Sequence, residues 1–152
     1  MIKRREARQQ AFELIFEKSF YKDENENAQN IDSIIEAAAD ARDMELSSYA
    51  QQVFSGVFKH VEEIDGYISQ YSRARSFRRL SKVVLAALRL AIYEILYVDD
   101  LEPTISINEA IELTKKFSGK DEAGFVNGVL GGFMQAYPEI KAARQLDSGA
   151  EQ

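Results

Sequence analysis

Between Arg78 and Val98 the chain reads RRLSKVVLAALRLAIYEILYV, and its apolar residues leave little polar side for water. The stripe through Leu80, Val83, Val84, Ala87, Leu88, Ala91, Ile92, Ile95 and Leu96 is too wide for a helix lying on a surface. Such a helix is stable only when others cover it, so 78–98 is expected to be the central, most buried helix. Asp99 to Pro103 ends it.

The rest of the chain supplies the cover. Ala7, Ala11, Phe12, Ile15 and Phe16 recur at helical spacing and predict a helix over 4–20. Residues 21–30, YKDENENAQN, are polar and predict a loop. A second helix is expected over 31–44, with Ile31, Ile34, Ile35 and Ala38 inward. A third, capped by Ser47 or Ser48, carries Tyr49, Val53, Phe54, Val57, Phe58 and Val61. The pattern pauses at Asp65-Gly66, and a shorter helix follows through Ile68 and Tyr71. Ser106-Ile107-Asn108-Glu109 has capping-box spacing and starts a helix ending near Phe117. The last helix is expected from about Glu122 to Tyr137, stopped by Pro138. No strand alternation is convincing. The expectation is an all-α fold, a single compact helical domain of about seven helices over 1–144, with a disordered tail over 145–152.

Several function classes drop out. Cysteine is absent, which excludes thiolate metal sites and fits a reducing, cytoplasmic setting. No apolar stretch reaches 18 residues, which argues against a membrane span. His60 is the only histidine, so a histidine metal site is excluded and a catalytic triad improbable. Carboxylate pairs such as Glu62/Glu63 and Asp99/Asp100 read as solvated faces. No catalytic set and no cofactor site assembles.

The net charge of −6 argues against a general nucleic-acid coat, yet the charge is sorted. Lys3, Arg4, Arg5 and Arg8 crowd the start with only Glu6 opposing them. Arg73, Arg75, Arg78, Arg79 and Lys82 form a second cluster with no acid. The first cluster falls at a helix start, where the dipole disfavours positive charge, and Arg4 and Arg8 share one face at i, i+4. A phosphate-binding site would account for both features. The two clusters together point to an anionic partner.

The stretch SGKDEAGFVNGVL (118–130) has the glycine spacing of a phosphate loop at Gly119 and Gly124. That loop needs Lys-Ser/Thr directly after its second glycine, and Phe125-Val126 stand there instead. Gly124, Gly128 and Gly132 repeat every four residues on one side of the following helix. Glycine inside a helix costs about 1 kcal/mol relative to alanine, so something comes close along that side. Tight helix packing is favoured over a ligand for Gly128 and Gly132, and Gly124 reads as part of the turn. Asn127, beside a buried stripe, is expected to hydrogen-bond a neighbouring helix end.

Taken together, RREARQQAFELIF (4–16), FRRLSKVVLAALRLAIYEI (77–95) and INEAIELTKKFSGKDEAGFVNGVL (107–130) resemble the NusB family of transcription antitermination factors. The last stretch is the most specific. The resemblance implies two helical subdomains and no enzymatic activity. It also implies binding of boxA RNA together with the ribosomal protein NusE, within the RNA polymerase antitermination complex that transcribes ribosomal RNA operons. By the same implication Lys3, Arg4, Arg5 and Arg8 contact RNA phosphates, and Tyr71 and Phe125 lie at the RNA surface, where aromatic rings stack on unpaired bases. Asp121 matches a position tied to RNA and partner behaviour. Val84, Arg89 and Tyr93 fall in the segment that faces NusE. The chain departs from the family pattern at Glu6, which interrupts the arginine run, and at Gly124, where a lysine is common. Val84 and Leu85 replace charged residues; exposed, they would favour a homodimer of the free protein. A helical protein–protein adaptor without RNA is the alternative.

Overall fold

A computed structural model describes residues 3–20, 31–41 and 45–150, with side chains as far as 147. Seven α-helices follow one another: α1 (Arg4–Lys18), α2 (Ile31–Ala41), α3 (Ser48–Lys59), α4 (Val61–Tyr71), α5 (Lys82–Tyr97), α6 (Pro103–Phe117) and α7 (Lys120–Ala150). A short 3-10 turn, Phe77–Arg79, lies between α4 and α5, and no strand occurs among the described residues. The loop expected over 21–30 falls outside them.

Helix α5 is the axis of the molecule. All of its residues from Ala86 to Leu96 are buried, as is Val84, because α1, α3, α4, α6 and α7 all pack against it. Two helical groups, α1–α3 and α4–α7, therefore share one core. The α1 side supplies Phe12, Leu14 and Ile15; α3 supplies Val53, Phe54, Val57 and Phe58; α7 supplies Val126, Leu130 and Phe133.

Several boundaries differ from the sequence expectation: α1 ends at Lys18 rather than 20, and α5 starts at Lys82, after the 3-10 turn, rather than at 78. The break between α3 and α4 comes at His60, not at Asp65-Gly66. Val61, Ile64 and Ile68 keep one buried stripe running through Gly66, whose α-carbon faces open space. Helix α6 starts at Pro103, in the first-turn position where its missing N–H costs nothing. Ser106 consequently sits inside the helix, its hydroxyl buried and without a hydrogen bond. Helix α7 begins at Lys120 and passes straight through Pro138 to Ala150, so residues 145–150 continue it. Proline removes one backbone hydrogen bond, but contacts on both sides of it hold the helix. The Tyr137 hydroxyl donates to the Ile95 carbonyl (3.2 Å), Ile140 packs on the core, and Arg144 pairs with Glu63.

The α6–α7 corner explains Gly119. Its φ of 123° lies where side chains are strained, and the amides of Ser118 and Gly119 both donate to the Thr114 carbonyl (2.8 and 3.0 Å). This glycine is a helix-ending turn.

Candidate nucleic-acid interface

The first site residues stand at the start of α1. Lys3, Arg4 and Arg5 are exposed. Arg5 pairs with Glu109 of α6 at 2.9 Å while its side chain stays 80% exposed. The Arg4 guanidinium lies over the Tyr49 ring, 4.1 Å from its centroid. The Tyr49 hydroxyl donates to Glu94 on α5, and burial, then the Glu94 charge, push its pKa up, so it stays protonated as a donor.

Arg8 is elsewhere. It is 2% exposed, and its Nε lies 2.9 Å from both carboxylate oxygens of Glu94. The expected phosphate contact at Arg8 is therefore corrected. One turn after Arg4, Arg8 belongs to the inward stripe of Ala7, Ala11, Phe12 and Ile15, and its charge is neutralised inside the protein. Glu94 thus ties α1 to α5 and, through Tyr49, supports the ring beneath Arg4.

The second group lies where α4 and its following linker meet α7. Tyr71 and Phe125, both half-buried, line an open groove of about 800 Å³ together with Arg73, Gly128, Gly131 and Gly132. Arg75 crosses to α7, donating through Nη1 to both Glu122 oxygens (3.0 and 2.9 Å) and covering Phe125 at 4.3 Å. Asp121 is exposed in the first turn of α7, where a negative charge suits the helix dipole.

The glycine side of α7 is not the tight helix contact expected. A Cβ at Gly124, Gly128 or Gly131 would meet nothing within 4 Å, and one at Gly132 would touch the Tyr71 ring at 3.5 Å. The close neighbour is a side chain at one end, and the remaining backbone faces the groove. Asn127 is exposed, not buried against a helix end.

The structure does not merge the two groups into one cluster. The end of α6 touches α1, where Lys116 donates to Gln9 (3.0 Å) and Phe117 stacks on Phe12 (5.2 Å), and Asp121 follows four residues after Phe117.

The α5 residues expected to face a partner do not stand on the surface. Val84 is fully buried and Leu85 is half-buried against the core, so of the pair expected to favour self-association only Leu85 reaches the surface. Arg89 is 1% exposed and bonds both oxygens of Asp65 on α4 (2.9 and 2.8 Å). Tyr93 is buried, its ring lying on Gly56 so closely that a Cβ there would overlap it. The reason is the position of α5 itself, covered by the helices packed against it.

Tyr49, Glu94 and Glu122 are site residues that sequence reasoning missed, and Arg75, read as part of the second basic cluster, turns out to be paired across to α7. Glu94 carried a signal: an acid inside the most apolar helix must find a cation. The pairing of Arg75 with Glu122, 47 residues apart, carried none. Among the described residues no His, Asp and Glu group is placed to hold a metal ion, and no helix is long and apolar enough to cross a membrane.

Comparison with known proteins agrees with this architecture. The NusB family profile matches residues 5–135. The transcription antitermination protein NusB of Acetivibrio thermocellus is 43% identical over 128 residues, covering 84% of this chain and 86% of the relative. That of Natranaerobius thermophilus is 39% identical, covering 84% and 91%. Among solved structures, T. maritima NusB superposes with a TM-score of 0.70 at 32% identity, covering 86% of this chain and 89% of that one. A crystal structure of antitermination factors NusB and NusE in complex with dsRNA gives 0.71 at 28% identity, covering 88% and 97%. With its helices in that arrangement and its sequence matched over nearly the whole described length, the chain belongs to the NusB family of transcription antitermination proteins.

Proposed function

We propose that this chain binds boxA RNA together with the ribosomal protein NusE, within an RNA polymerase antitermination complex in the cytoplasm that supports transcription of ribosomal RNA operons. The observation that carries the reading is the pair of half-buried rings, Tyr71 and Phe125, on an open groove rimmed by Arg73, in a relative of a NusB found with NusE and dsRNA. Exposed rings beside arginine suit unpaired bases.

Lys3 and Arg4 meet phosphates, and Arg5 contributes through the exposed half of its pair with Glu109. Tyr71 and Phe125 stack, and Asp121 tempers the charge at the start of α7, where it limits non-specific binding. Arg4 is the best prepared cation, because Tyr49 orders it before RNA arrives. NusE meets the C-terminal end of α5, at a pocket of about 310 Å³ lined by Arg4, Tyr49, Tyr97 and Asp99. The work is positioning and stacking, with no bond made or broken.

The test is binding of boxA RNA, alone and with NusE. Weak binding alone, tightening with NusE and falling with salt, is expected, because phosphate contacts release counterions. Equal affinity for a scrambled RNA in the presence of NusE sinks the proposal. A Lys3→Ala/Arg4→Ala variant that keeps full RNA affinity but loses NusE would favour the adaptor reading.

A further inference from the structure

The interface above uses only Arg73 and Arg75 of the linker between α4 and α5, SRARSFRRLS (72–81), and leaves Arg78 and Arg79 without a task. The linker is an ordered segment. Ser72 is buried and its hydroxyl donates to the Arg75 carbonyl (2.8 Å), closing the first turn. The Arg79 amide donates to the Ser76 carbonyl (2.9 Å) and closes the second. Phe77 and Leu80 pack on the core, while Arg73, Arg78 and Arg79 between these anchors are exposed. None of those three is in an ion pair among the described residues, whereas Arg75 is fully engaged by Glu122 and Phe125. One run of arginines is thus split into two jobs.

We propose that this linker is a second phosphate-binding segment, in which Arg73, Arg78 and Arg79 meet RNA phosphates and Arg75 is a positioning residue that holds Phe125 for stacking. The inference rests on the RNA-binding reading and extends its track past the groove. Arg73 stands at the groove mouth beside Tyr71, so a strand whose base lies against Tyr71 or Phe125 brings its next phosphates over the linker. In a chain of net charge −6, an acid-free segment with three unneutralised arginines is a local positive field. An acidic protein surface would satisfy the charge, but it has no use for two ring edges on an open groove. RNA uses both. The pre-ordered backbone lowers the entropy lost when the arginines bind.

The experiment uses the full chain with NusE and boxA RNA, measuring affinity across a salt series. An Arg73→Ala/Arg78→Ala/Arg79→Ala variant keeps the native melting temperature, and its plot of log affinity against log salt becomes shallower by about 2, as loss of three single-strand phosphate contacts requires. Arg75→Ala weakens binding with the slope unchanged, and Arg75→Ala/Phe125→Ala binds no more weakly than Phe125→Ala alone, because Arg75 acts through that ring. An unchanged slope in the triple variant overturns the linker assignment while the wild-type RNA binding stands. Loss of NusE binding with the slope unchanged assigns the segment to a protein partner and also overturns it. If the wild-type chain with NusE does not distinguish boxA from scrambled RNA, the parent reading falls and this one with it.

Discussion

Arg4 and Arg8 look alike in the sequence, one turn apart at the same helix start, and the structure gives them opposite tasks. Arg8 neutralises a buried carboxylate; Arg4 rests on a ring and faces water. Removing one partner of a buried pair leaves the other charge stranded, so Arg8→Ala should cost about 3 kcal/mol of stability, whereas Arg4→Ala, at the surface, should change it by less than about 0.5 kcal/mol. Urea unfolding of the two variants measures this, and equal midpoints would remove Arg8 from the core. Gly124 is the complementary case. A side chain there meets open space, so Gly124→Lys should raise stability by about 0.5 kcal/mol through helix propensity. If the RNA track is as proposed, the same change steepens the salt slope by about 0.7. A titration against boxA RNA reads the second effect, and no gain would separate position 124 from the track. The periodicity of α1 already placed Arg8 in the apolar stripe; the attraction of a run of arginines obscured it.

At the scale of elements, α7 shows most clearly what periodicity can and cannot reveal. Its apolar stripe was legible, because Val126, Leu130 and Phe133 repeat at helical spacing and are all buried. The fate of its glycine side was not, since spacing identifies a bare backbone but not the neighbour across from it. Its end was missed as well. Proline ordinarily stops a helix, and only contacts from distant parts of the chain, Ile95 and Glu63, carry α7 past Pro138. Because those contacts survive substitution, Pro138→Ala should restore the missing hydrogen bond and stabilise the fold by about 2 kcal/mol. Thermal unfolding tests this, and a lower midpoint would mean that Pro138 itself helps to place Arg144 over Tyr97, 4.8 Å from its ring. The α3–α4 boundary was misplaced for a similar reason: a glycine after an aspartate reads as a turn, yet Asp65 is held in α4 by Arg89.

For the whole molecule, the central helix was the most legible feature, since no surface helix could carry so wide an apolar stripe. What it organises was not legible. Helix α5 belongs to both helical groups, so neither group retains a complete core without it. Unfolding should therefore be a single transition, with circular dichroism and tyrosine fluorescence giving coincident curves; separated midpoints would show that the groups unfold independently. The buried charges on α5 add a further consequence. Its interior carries one base, Arg89, answered by an acid on α4, and one acid, Glu94, answered by a base on α1. Each flanking helix thus holds the sign that only its own side of α5 accepts. Positions 8 and 94 therefore form one charge unit, and 65 and 89 another. A reversal at one member of a pair survives only when its opposite number reverses too.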